Sequence, residues 1–300
     1  MGLSDFWLFL QQGVLSGLVT GSVYALLAIA IVAVFKTTDV PNFAQGEIFM
    51  MAGYVALMLL LVAQLPYAIV IPLTLVVVAG GTALFQRVVM ERVTVSKGVG
   101  VQLVIATLGF AYALKGMVRQ TGLGDTPRSL PSLVSADAVV IGDAALTRLD
   151  VVIFIVSMIV MLLLYFMFSR TRIGKAMRAV GMNPRAAQIV GIRLSRIRML
   201  VWAMSGLISA IAALLITPKV LITPDIAHIA ILAYAAAIVG GFTSLPGAVL
   251  GGLLIGVIEN LVGLFISTNA IVVAPFLAIL VTLVLRPQGL LGGKPQVKKV

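Results

Sequence analysis

Apolar residues run through this chain in nine long stretches, each ended by a short polar break. The stretches cover 10–35, 48–65, 67–89, 100–117, 151–168, 199–216, 226–239, 249–266 and 270–285. A helix needs about 20 apolar residues to cross hydrocarbon. Transmembrane barrel strands alternate in polarity over about 10 residues, whereas these runs are continuously apolar. The pattern therefore predicts an all-α, polytopic helical membrane protein with eight or nine membrane segments, some discontinuous. They form a single transmembrane domain over 1–300.

Two of the breaks carry more than turn residues. The first is KTTDVPNFAQGE at 36–47, interrupted by Pro41. Asn42 is placed to cap the next helix, and Glu47 falls in its first turns, where the positive helix end favours a carboxylate. The second is GGFTSLPGA at 240–248. Paired interruptions in the two halves of a transport protein mark discontinuous helices beside the pathway. On that reading Asn42, Phe43, Gln45 and Glu47, with Gly240, Gly241, Ser244 and Pro246, line a solute route. The alternative, that each break is an ordinary cytoplasmic hairpin, stays open. Gly13, Gly17 and Gly21 form a small-residue ridge at four-residue spacing, and Gly247/Gly251 and Gly252/Gly256 repeat that spacing. Such ridges let helices approach closely in lipid.

Composition agrees. Hydrophobic residues make up 61% of the chain and charged residues only 10%, against about 25% charged in soluble domains. The net charge of +11 sits beside the spans, so it speaks for membrane topology and not for nucleic acid. The segment 170–198 holds eight of the 21 Lys+Arg and no acidic residue. Short loops this basic stay cytoplasmic. Alternation then places 87–97, with Arg87, Arg92 and Lys97, and the tail with Lys294, Lys298 and Lys299 on the same side. The N-terminus and 119–150, whose Asp125, Asp137, Asp143 and Asp150 offset three arginines, fall outside. The N-terminus lacks a basic leader region, so no cleavable signal peptide is expected.

The basic loop has its own pattern. Asn183 is a good N-cap, Pro184 suits the first helical position and Gly191 suits the position past the end. Ala186, Ala187 and Val190 fall on one face. A helix over 183–191 is marginal alone, so it reads as a docking element; a plain positive-inside loop meeting lipid phosphates is the alternative. Chemistry-bearing residues are otherwise sparse. Glu259, beside Asn260, is an intramembrane carboxylate, either a structural hydrogen-bonder or a pathway residue. His228 reads as interfacial, and Lys115 and Arg119 as snorkelling at a span end. With no cysteine and one histidine, no metal site is expected. No GxxxxGK[ST] is present, so ATP, if used, is hydrolysed by another polypeptide.

Four motifs in order, NFAQGE (42–47), SRTRIGKAMRAVGMNPRAAQIVGI (169–192), GGFTSLPGAVLGGLLIGVIEN (240–260) and RPQGLLG (286–292), make the chain resemble LivH-type permeases of the branched-chain amino acid family of ABC importers, over nearly its full length. Gln45 stands where relatives often have His, and Phe242 and Thr243 where they are often Gly-rich. The resemblance implies a bacterial inner-membrane subunit that is not an enzyme. It implies pairing with a LivM-like second permease subunit or with itself, two cytoplasmic ATPases that hold ATP–Mg, and a periplasmic solute-binding protein. The helix at 183–191 becomes the coupling helix, with Arg172, Lys175, Arg178, Asn183, Pro184, Arg185, Ala187 and Gly191 facing the ATPase. Relatives handle branched-chain and other amino acids, urea, amides or aromatic acids. An ion-coupled secondary transporter, and a channel or scaffold without energy coupling, are the competing classes.

Overall fold

A computed structural model of the protein describes residues 3–95, 100–124, 126–135, 137–142 and 144–293. Lys97, Asp125, Asp143, Lys294, Lys298 and Lys299, used above to assign sides, lie outside the described residues. In chain order the elements are α1 (Leu3–Thr38), α2 (Gln45–Leu57) with a π-helical turn (Met58–Val62), α3 (Tyr67–Phe85) with a second π-helical turn (Gln86–Met90), α4 (Glu91–Val95) and α5 (Gly100–Arg119). Then come β1 (Ala138–Ile141), β2 (Ala144–Thr147), α6 (Arg148–Arg170), α7 (Arg172–Met182), α8 (Pro184–Ile189) and α9 (Leu194–Ile216). A 3-10 turn (Ile226–His228), α10 (Ile229–Gly240), α11 (Leu245–Phe265) and α12 (Ala274–Leu285) complete the chain.

Among the described residues, seven helices are long and apolar enough to cross a membrane, and two shorter apolar helices, Ile226–Gly240 and Ala274–Leu285, accompany them. These follow the nine apolar stretches. The protein is a polytopic helical membrane protein. Ile155, Ile159, Leu162, Leu163 and Phe166 of α6 are all at least half exposed, a surface that hydrocarbon accepts and water would not.

The structure departs from expectation in three places. The loop 119–150 contains an antiparallel hairpin that pairs Ala138 with Thr147 and Ile141 with Ala144. Its turn uses Gly142 at φ +67°. The basic loop contains a second helix, α7, ahead of the expected one. It buries Gly174, Met177 and Val180 and exposes Arg172 and Lys175, a three-to-four-residue rhythm that the dense charges obscured. Finally, α2 starts at Gln45 and not at 48, with Ala44 as its N-cap and no side-chain cap.

The elements gather into two compact units. One comprises 3–29, 131–163 and 232–293; the other comprises 30–130 and 164–231. In the first, the two glycine ridges meet. A Cβ at Gly17 would lie 2.6 Å from Val257 Cα, and one at Gly21 would lie 2.8 Å from Gly252 O. The helices touch backbone to backbone, the close approach small residues permit in lipid. Asn260 Nδ2 then reaches Thr20 Oγ1 across the contact at 2.9 Å. In the second unit α9 packs along α3. Gly206 lies against Thr82, and Phe85 stacks on Phe110 with centroids 3.9 Å apart and tilts against Trp202 at 5.4 Å.

Candidate translocation and coupling site

The first break ends beside the middle of a span. Gln45 Oε1 accepts from Asn42 Nδ2 at 3.0 Å and from Ser205 Oγ at 2.8 Å. Its Nε2 donates to Ser209 Oγ. All four residues are fully buried. Ser205 and Ser209 occupy the centre of α9, whereas Gly53 of α2 lies against Thr217, just past the end of α9. So α2 starts level with the middle of α9 and runs alongside only its second half: it is a discontinuous segment. Asn42 does not cap it. Its Oδ1 accepts from Ala44 N at 3.2 Å, holding the turn before the helix. Phe43 is 41% exposed, and Glu47, in the first turn, is half-buried. The serines that grip Gln45 went unnoticed in the sequence, although Ser205 and Ser209 stand four apart on one helical face of an apolar run.

The second break is a tight turn. Ser244 Oγ accepts from Gly247 N at 3.1 Å and caps α11, whose first turn contains Pro246. Gly240 and Gly247 touch through their backbones. Gly241 takes φ +107°, and a Cβ there would meet Gly292 N at 2.6 Å. The chain past α12 returns to this turn: Leu290 N donates to Val239 O at 2.8 Å and Leu291 N to Gly240 O at 3.0 Å. The GGFTSLPGA and RPQGLLG motifs, separated by 37 residues, are thus one interlocked structure. The residues of the two breaks belong to different units.

The basic loop forms two short helices. Thr171 caps α7 by accepting from Gly174 N at 3.1 Å, and Asn183 caps α8 by accepting from Ala186 N at 3.0 Å. Pro184 begins α8, and Gly191, at φ +87°, turns the chain out of it. Of the three residues expected on one face, only Ala187 is buried; Ala186 is exposed and Val190 is 75% exposed. Ile189, at 86%, is also outward. Arg172, Lys175 and Arg185 are exposed. Arg178 is also exposed, and its guanidinium donates to the Phe168 and Ser169 carbonyls at the end of α6.

Several charged side chains on the helices have polar or charged neighbours. Glu259 interacts with the hydroxyl of Tyr24. Arg198, near the start of α9, faces the carboxylates of Glu91 and Asp39, and Ser195 donates to Glu91 at 2.7 Å. Lys115 does not simply snorkel: its Nζ lies 2.7 Å from Asp225 Oδ1. That bond holds the Asp225 carboxyl below the usual carboxylate range.

Residues 13–285 match the family of permease components of branched-chain amino acid transport systems, a stretch that takes in every element but the opening turns of α1. The chain belongs to this family. The permease is 32% identical to the high-affinity branched-chain amino acid transport system permease protein LivH of Salmonella typhimurium, over 99% of this chain and all of that one. It is 29% identical to the corresponding protein BraD of Pseudomonas aeruginosa, with the same coverage. Among solved structures, PsaBC from Streptococcus pneumoniae in complex with a Fab has a similar fold, with a TM-score of 0.50 at 14% identity over 92% of the permease and 91% of that chain. The permease is a multi-pass membrane subunit of a transport system, one component among several.

Proposed function

We propose that the permease is the membrane subunit of an ATP-driven importer of branched-chain amino acids, and that α7 and α8 are its contact with a cytoplasmic ATPase. The solute is the one named for its relatives LivH and BraD. The observation that carries the coupling reading is α8 itself. It is a six-residue helix, too short to stand alone, yet capped at both ends and carrying exposed Ile189 and Val190 beside Arg172, Lys175 and Arg185. Exposed apolar and basic side chains on one loop suit a groove with acidic walls. In this reading two ATPases hold ATP–Mg, a LivM-like subunit or a second copy completes the pathway, and a periplasmic binding protein delivers solute. ATP favours one of two arrangements of the spans through the lever at α8. The basic loop and the C-terminus lie in the cytoplasm and the N-terminus outside, in the inner membrane of a bacterium.

The solute route is assigned to the break before α2, with Phe43 and Glu47 facing it and Asn42 and Gln45 holding it open. The polar side chains at the midpoint of a span support this. In the first unit the assignment rests on Glu259. Gly240, Gly241, Ser244 and Pro246 set the frame through their turn.

The test is purification of the tagged chain followed by uptake in vesicles. An ATPase subunit that copurifies, with leucine uptake that needs ATP inside, supports the reading. Uptake that follows an ion gradient without ATP establishes the ion-coupled class instead. A membrane-impermeant thiol reagent that labels Arg185→Cys from outside intact cells overturns the orientation.

A further inference from the structure

Two charged side chains from separate stretches of one unit, Lys115 and Asp225, form an ion pair near the break before α2, and a third, Glu47, is a more distant charged neighbour. Lys115 of α5 bonds Asp225, on the stretch between α9 and α10, at 2.7 Å. Lys115 also acts on the carboxylate of Glu47, in the first turn of α2. Arg119 and His228 are further neighbours of Asp225, and His228 Nδ1 lies 2.8 Å from the Asp225 carbonyl. Tyr54, two turns along α2 and 4% exposed, has a hydroxyl that bonds no described residue and senses the Asp225 charge.

The group is open. The Asp225 side chain is 75% exposed and that of Lys115 28%. Phe43 is exposed at the break, and Tyr112, one turn before Lys115 on α5, is 77% exposed. A charged side chain on a span is disfavoured in hydrocarbon. This open face therefore meets water or a partner chain, not lipid.

An amino acid carries an ammonium and a carboxylate and no net charge. A site with a single fixed charge would leave one of the two ends unmatched. A site that already holds an ion pair allows exchange: the solute ammonium moves to Asp225 and Glu47, and the solute carboxylate moves to Lys115 and the Tyr54 hydroxyl. Ion pairs are conserved through the exchange, so no charge is stranded at any step. An open pair is weak, so it parts readily and closes again behind the solute.

We infer that Lys115, Asp225 and Glu47 form a transit site for a zwitterionic amino acid, in which the two charges of the solute replace the resident ion pair. This rests on the importer reading above. The experiment uses the complete importer in proteoliposomes, with its binding protein and radiolabelled L-leucine. Asp225→Asn changes an exposed side chain and leaves folding near wild type. It and Lys115→Met are expected to lower uptake about tenfold or more, with assembly of the complex unchanged. Reversing the pair, Lys115→Asp with Asp225→Lys, restores any purely structural tie but mismatches the charges offered to the solute. Its uptake is expected to stay about tenfold low. Uptake by Asp225→Asn within about twofold of wild type, or recovery in the reversed pair, overturns the transit site. A wild-type complex that imports no amino acid counts against the importer reading itself.

Discussion

Ser205 Oγ donates to Gln45 Oε1 at 2.8 Å, from a position at the centre of α9 to the first residue of α2. This contact decides the level at which α2 begins. Removing the donor in Ser205→Ala leaves Gln45 with Asn42 and Ser209, and interhelical hydrogen bonds in lipid average about 0.6 kcal/mol with a ceiling near ~1.7. Gln45→Leu strands Asn42 and both serines in a buried site, at about 2 kcal/mol or more. Thermal unfolding in detergent should rank wild type above Ser205→Ala and Ser205→Ala above Gln45→Leu. Equal melting temperatures for the two variants would mean that the cluster does not anchor α2.

The contact of α1 with α11 tolerates no side chain at Gly256, where an added Cβ would meet the Gly21 and Gly17 backbones. Gly256→Val should cost about 1–3 kcal/mol through overpacking and sharply lower the yield of folded protein. Gly81→Ala is the control: a Cβ there meets nothing within 4 Å, and the helix gains about 1 kcal/mol in propensity.

The short helix α8 depends on its ends. Asn183→Ala removes the bond to Ala186 N and should weaken the helix by about 1 kcal/mol. Gly191 at φ +87° is closed to proline, whose ring holds φ near about −65°. Gly191→Pro and Arg185→Glu are both expected to raise the ATP hydrolysed per solute imported, with membrane insertion intact. An unchanged ratio in both variants removes α8 from the coupling path.

The Asp225 carboxyl is held below the usual carboxylate range, first by its hydrogen bond from Lys115 and then by that ammonium's charge. Its folded pKa is depressed, so the stabilisation is present above the unfolded value and lost as pH falls through the folded one. The difference in melting temperature between wild type and Asp225→Asn should therefore hold between about pH 8 and about pH 5, and shrink only below the ordinary range near about 3.9. A difference that shrinks already near about pH 6 would mean that the Asp225 carboxylate does not carry the effect.

How much was legible depended on range along the chain. The apolar stretches, the basic loop, the cap at Asn183 and the turn at Gly191 are local matters: hydrocarbon length, charge transfer and backbone conformation act on neighbouring residues, so the sequence by itself determined them. Even the glycine ridges announced a contact, though not its partner. The hairpin at 138–147 and the helix α7 were missed because weak local signals sat inside segments dominated by charge and loop composition.

What only the tertiary structure decided is long-range pairing. Gln45 meets Ser205 160 positions away, and Lys115 meets Asp225 110 positions away. The RPQGLLG segment closes on the turn at 240–248. A polar group in an apolar run states only that it needs a partner, because an unmatched one is costly in hydrocarbon. Which partner it finds is set by how the helices stack, and that is not written at any single position.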